Sequence, residues 1–137
     1  MADVKDFLME NVDAKPETRE VKFPRFKAPF VIKSITEDEN SVLQKQATTK
    51  TKDRQTRQIT STVDQSKYVD LLAAACVVSP ELDNADLQKS WNSIADPVGL
   101  LKKMLKVGEY AELLNQIQDL CGFDLEDVDD LREEVKN

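Results

Sequence analysis

The stretch MLKVGEYAELLNQIQDLCGF, residues 104–123, decides what kind of fold this chain adopts. Met104, Leu105 and Val107 precede a glycine, Gly108, and Leu100 and Leu101 extend that set upstream. Tyr110, Leu113, Leu114, Ile117, Leu120 and Cys121 follow the glycine. Both sets keep the three/four spacing that lines up one face of an α-helix. The pattern predicts two packed helices joined at a glycine turn, with Gly108 just past the first helix and Glu109 opening the second. The apolar surface is generous for so small a chain, so the stretch has two readings. It is either the core, the default, or a face kept apolar for a partner helix. Under the second reading the contact residues are Leu101, Met104, Leu105, Tyr110, Leu113, Leu114 and Ile117.

The rest of the chain reads outward from there. Gly122 ends the second helix, and Asp124 can cap an acidic helix, LEDVDDLREEVK, whose stripe Leu125, Val128, Leu131 and Val135 adds Leu125, Val128 and Leu131 to the candidate contacts. Asp96-Pro97 is a start signal upstream, and Ser79-Pro80 reads the same way, with Ser79 as cap and Glu81 in the first turn. Asp64 can cap DQSKYVDLLAAACVV, where Tyr68, Leu71, Leu72, Ala75, Cys76 and Val78 make a broad apolar stripe. Thr36 and Glu39 form a capping box ahead of a helix that carries Val42 and Leu43 inward. Between these helices, residues 46–62 hold one strong hydrophobe, Ile59, and read as a mobile loop, although their threonines also allow a loose hairpin. Near the N-terminus, EVKFPRFKAPFVIKSI is rich in Val, Ile and Phe but interrupted by Pro24 and Pro29. It predicts two short strands, near 20–26 and 29–35. Residues 2–12 can form a short helix.

The expected fold is therefore mainly α (α+β): a short N-terminal β ribbon followed by a bundle of about five helices. One domain spans residues 1–137. It divides into a helix and linker at 1–19, the ribbon at 20–35, a helical core at 36–122 and the acidic helix at 123–137.

Composition narrows the function. The net charge of −7 argues against nucleic acid and against an anionic membrane surface. The loop at 46–62 is locally basic but offers no aromatic for a base to stack on. No apolar run approaches the roughly 20 residues that cross a bilayer, and no signal-peptide pattern opens the chain, so a cytoplasmic protein is expected. Histidine is absent, which removes Ser-His and Cys-His nucleophile pairs and the common zinc sets. The acidic run from Asp124 fails the calcium-loop pattern, because Val128 and Asp129 stand where an oxygen ligand and a glycine belong. The three glycines lie too far apart to cradle a phosphate. Cys76 and Cys121 read as buried free thiols. No enzyme, cofactor or metal is expected.

Four ordered motifs then carry a resemblance. RF-x3-F-x-IKSIT-x2-E runs from Arg25 to Glu39, and K-Y-x8-CVVSPEL-x2-A-x-LQ from Lys67 to Gln88. P-x2-LLKKML-x2-GEYA-x-L runs from Pro97 to Leu113, and CGFD closes the series at Asp124. Together they resemble the XkdN-like tail assembly chaperones of phages and phage-like elements of Gram-positive bacteria. The resemblance implies a protein that binds the long, helical tape measure protein and keeps it soluble while the tail tube assembles. It implies action in the bacterial host cytoplasm and absence from the mature virion. The tail tube protein is a further candidate partner, and self-association is left open. The alternative is a structural tail component, a tube or baseplate adaptor retained in the particle. A regulatory binding module outside phage biology is a third reading.

Overall fold

The computed structural model describes residues 3–123, and the candidate contacts Leu125, Val128 and Leu131 lie outside that range. After two short 3-10 turns, Val4–Phe7 and Met9–Asn11, the chain runs β1 (Thr18–Val21), β2 (Phe30–Lys33), α1 (Glu37–Gln46), β3 (Thr48–Lys52) and β4 (Ile59–Val63). It continues with α2 (Gln65–Cys76), β5 (Val77–Ser79), α3 (Ala85–Ser90), α4 (Pro97–Met104) and α5 (Val107–Cys121). The expected N-terminal ribbon followed by a helical bundle is overturned. The fold is α+β with strands throughout, in a three-stranded sheet ordered β1-β2-β5 and a separate two-stranded sheet of β3 and β4.

The ribbon itself forms near its expected place. β1 pairs antiparallel with β2, from Thr18 opposite Lys33 to Val21 opposite Phe30. The prolines fall in the connection, where no ladder donor is needed. β2 is central, because β5 pairs along its other side, with a bulge between Val31 and Ile32. Ser79 is therefore a strand residue and not a helix cap. The helix expected there starts later, at Ala85, with the Asn84 side chain accepting the Leu87 amide at 3.0 Å. Val77 and Val78 are β-branched, and they close an edge of β2 that would otherwise expose unpaired backbone groups.

Residues 46–62 also differ from the mobile-loop reading. β3 and β4 pair over five positions, Thr48 opposite Val63 through Lys52 opposite Ile59. The segment is rich in threonine, whose branched Cβ favours extended backbone even where little is buried. Of the helix expected at 2–12, the described residues 3–12 form only the two 3-10 turns, with Phe7 and Met9 exposed, so a helix finds no surface to pack on there.

The core lies between the three-stranded sheet and helices α2, α4 and α5. Phe30 and Ile32 from the sheet meet Leu72 and Cys76 from α2, Leu100 and Leu101 from α4, and Leu113 and Ile117 from α5. Phe23, Phe26 and Phe30 stack edge to face, with centroids 5.2 to 6.5 Å apart. The Thr36 capping box forms, but α1 buries none of its residues, and Val42 is half exposed rather than inward. Leu43 packs at the edge of the core.

The joint inside the opening stretch is not made at its glycine. α4 stops at Met104, Leu105 and Lys106 are extended, and Gly108 sits in the first turn of α5 with open space around it. Arg25, in the β1–β2 connection, sets the break. Its Nη2 donates to the Met104 carbonyl at 2.9 Å, an acceptor that a helix end leaves free. Its Nε donates to Glu109 Oε2 at 3.0 Å, and a second guanidinium nitrogen reaches the other oxygen. Glu109 in turn accepts the Lys106 amide at 2.8 Å, closing the start of α5. These bonds, led by the Arg25 fork, hold the Glu109 carboxyl down at about 2. At the far end Gly122 does its expected work. It is left-handed, with φ 77°, and its amide and that of Phe123 return to the Asp119 and Gln118 carbonyls at 3.2 and 3.1 Å.

Both cysteines are free; Cys76 is buried and Cys121 half-buried. The Cys76 thiol donates to Cys121 sulfur, which drives the Cys76 pKa up, together with burial. The same bond, with the Ile35 amide, pulls Cys121 below the usual thiol range. Since the thiolate is the nucleophile, iodoacetamide should label Cys121 well before Cys76. The labelling rate should rise at a pH below the ordinary thiol value of about 8.5. Equal labelling of the two, or an ordinary pH profile, would contradict this pairing.

Candidate docking groove

The structure sorts the candidate contact residues of the opening stretch by depth. Leu101, Met104, Leu105, Leu113 and Ile117 are buried core, and Tyr110 and Leu114 are half-buried. Tyr110 donates its hydroxyl to Asp70 Oδ1 at 2.6 Å, and Lys102 reaches Asp70 Oδ2 at 3.0 Å, so this side of α5 is tied to α2 and α4. Five of these seven candidates are therefore covered by the rest of the described chain.

The surplus apolar surface is on α2. Tyr68, Leu72, Ala73 and Cys76 point into the core. Leu71, Ala74 and Ala75 form a second apolar face of the helix, and Val78 in the middle of β5 continues it. That face floors a groove of about 750 Å³. Leu43 and Gln46 of α1 form one wall, and Leu82, Pro97 and Val98 stand on the other. Among the described residues, the rim carries three exposed carboxylates, Glu81, Asp83 and Asp96, and no lysine or arginine lines the groove. The alanines lower the floor, which lets an incoming backbone come close. Sequence reasoning merged both faces of α2 into one broad stripe. The signal was present, since LLAAACVV is apolar on more sides than one packed helix face needs.

The second wall is braced from within. Gln88, buried on α3, donates Nε2 to the Leu82 carbonyl at 2.8 Å and accepts the Ala95 amide on Oε1 at 3.0 Å. One side chain thus holds both rim segments, 81–83 and 95–97. Asp96 caps α4 through the Gly99 amide at 2.9 Å. A Cβ at position 99 would lie 2.1 Å from Asp96 Oδ2, so glycine is what lets the cap approach.

Known proteins resemble this chain in sequence and in fold. A family model described as phage XkdN-like tail assembly chaperone protein matches residues 4–136. The chain belongs to the XkdN-like tail assembly chaperone family. The phage-like element PBSX protein XkdN of Bacillus subtilis (strain 168) is 33% identical over 131 residues, covering 88% of this chain and 86% of that protein. The uncharacterized protein YqbN of the same strain is 34% identical over 110 residues, covering 80% of this chain and 72% of that protein. The crystal structure of the protein YqbN superposes with a TM-score of 0.71 at 27% identity, covering 90% of this chain and 99% of that one. Several motif residues that carried the family resemblance turn out to hold this fold together. Arg25 clasps Glu109 of GEYA, and Gln88 closes the LQ motif at the groove wall. No helix among the described residues is long and apolar enough to cross a membrane.

Proposed function

We propose that this tail assembly chaperone binds the phage tape measure protein in the host cytoplasm, holds it soluble while the tube assembles, and is absent from the finished tail. Family membership supports a role in tail assembly. The observation that carries the finer reading is the second apolar face of α2, open at Leu71, Ala74 and Ala75 and continued by Val78 of β5. A helix laid along it would contribute its own i, i+3, i+4 and i+7 side chains, the recurring mode of helix-in-groove recognition. The acidic rim favours a client segment with lysine or arginine beside its apolar stripe.

Co-expression with the tape measure protein of the same gene cluster tests this. The wild-type chain should carry it into the soluble fraction and retain it on pull-down. Leu71→Glu with Val78→Asp, still folded by circular dichroism, should lose at least about tenfold of the retained client, because a charge is then desolvated on the groove floor. A tape measure protein that stays insoluble beside the wild-type chain would overturn the reading. So would finding the chain at structural abundance in purified tails, which would favour a tube or baseplate adaptor.

A further inference from the structure

Among the described residues, the β3–β4 arm stands apart from the other elements. Every residue from 49 to 62 is exposed, including Ile59 at 67%. A lone two-stranded ribbon is marginal in water, and three or more strands are needed for independent stability. Its two edges are unlike. β3 carries Lys50 and Lys52, a usual guard against edge pairing, whereas β4 reads ITSTV, with no charge and no proline.

The ladder shows which backbone groups are free among the described residues. Asp64 donates to the Ala47 carbonyl at 2.8 Å, and Asp53 to the Gln58 carbonyl at 2.9 Å. Hydrogen-bonded pairs alternate along an antiparallel ladder, so with this register Thr49–Thr62 and Thr51–Thr60 are the bonded pairs between them. Ile59, Ser61 and Val63 therefore turn their amides and carbonyls outward, away from β3. We infer that the β4 edge is a self-association surface, on which a second copy of this chain adds its own β4 antiparallel about a two-fold axis at Ser61.

The edge is self-complementary in that register. Ser61 faces its own symmetry mate in a hydrogen-bonded pair, Ile59 faces Val63 of the other copy twice, and Thr60 faces Thr62. No charge meets a like charge, and each cross-strand pair is of a kind that stabilises sheets. Pairing two arms gives four strands in place of two and covers the exposed Ile59. β3-to-β3 pairing would instead set Lys50 and Lys52 against their copies. The contact is isologous and closes at a dimer. It is small, below the roughly 1,000 Å² of a stable interface, so the association is weak and concentration-dependent.

Sedimentation equilibrium of the full chain across micromolar to millimolar concentration tests this. The expected result is a monomer–dimer equilibrium weakened at least about tenfold by Ser61→Pro, which deletes an outward amide and leaves the β3 ladder intact. Lys50→Pro makes the same change on the β3 edge and should leave the equilibrium unaltered. Mild oxidation should convert Ser61→Cys to a covalent dimer, because facing residues in a bonded pair sit about 5.5 Å apart, within disulfide reach. Lys50→Cys, equally exposed, should not convert. A wild-type chain that stays monomeric throughout would overturn the inference. So would a dimer indifferent to Ser61→Pro, or one weakened equally by Lys50→Pro. The readout is independent of the tape measure protein, so either proposal can fail without the other.

Discussion

Leu113→Ala lowers the melting temperature by roughly 10 °C, and a Leu113→Asp, Ile117→Asp double variant does not fold. Both residues are fully buried between α5, the sheet and α2. Removing a buried leucine to alanine costs about 3 kcal/mol in lost transfer energy and residual cavity. At a few degrees per kcal/mol for a chain of this size, that gives the stated shift. A buried carboxylate with no partner costs more than a marginally stable domain can offset. Val107 is the internal control. It lies in the same stretch but is 91% exposed, so Val107→Ser should stay within about 0.5 kcal/mol of the wild type. Thermal denaturation of the variants decides the matter. A well-folded aspartate double variant would mean that this face of α5 is not core. Any loss of client binding by such a variant, without a check of folding, would report unfolding and not a contact surface.

Gln88→Ala is expected to cost about 3 kcal/mol, since it leaves two backbone groups unpaired at about 1–3 kcal/mol each. The Leu82 carbonyl loses its donor and the Ala95 amide loses its acceptor, on opposite sides of α3. The effect should reach the groove as well, because those two groups belong to the rim segments that carry Asp83 and Asp96. Hydrogen exchange at the Ala95 amide should accelerate beyond the change in global stability. Client retention should fall even at temperatures where the variant is folded. Gln88→Glu should fall between, since it keeps an acceptor for Ala95 but sets a carboxylate against the Leu82 carbonyl. A Gln88→Ala variant within about 1 °C of the wild type would show that water replaces both bonds, and that the wall needs no brace.

The two faces of α2 show how much of the site was legible in the sequence. The spacing of Leu71, Ala74 and Ala75 was readable, and so was that of Tyr68, Leu72 and Cys76, while Val78 went to β5. Which of them would be covered was not, because periodicity says that a face is apolar and not what lies against it. The same limit applied to the Met104–Phe123 stretch. Its apolar residues read either as core, the default, or as a partner face, and only the packing of the sheet and α2 against Leu113 and Ile117 shows what covers those two. The acidic rim was beyond local reading, since Glu81, Asp83 and Asp96 meet only through the Gln88 brace and the turn into α4.

What the sequence determined by itself are the features set by interactions within one turn of chain. The Thr36–Glu39 box, the Asp64 and Asp96 caps and the left-handed Gly122 each satisfy backbone groups three or four residues away, so residue identity and spacing were enough. The tertiary structure decided whatever depended on a distant partner. β5 forms because β2 offers it an edge, and α4 ends at Met104 because Arg25 takes that carbonyl from 79 residues away. Gly108, the locally obvious break, was passed over. A glycine permits a turn without requiring one, while an arginine fork on a free helix end supplies a bond that continuing the helix would forfeit.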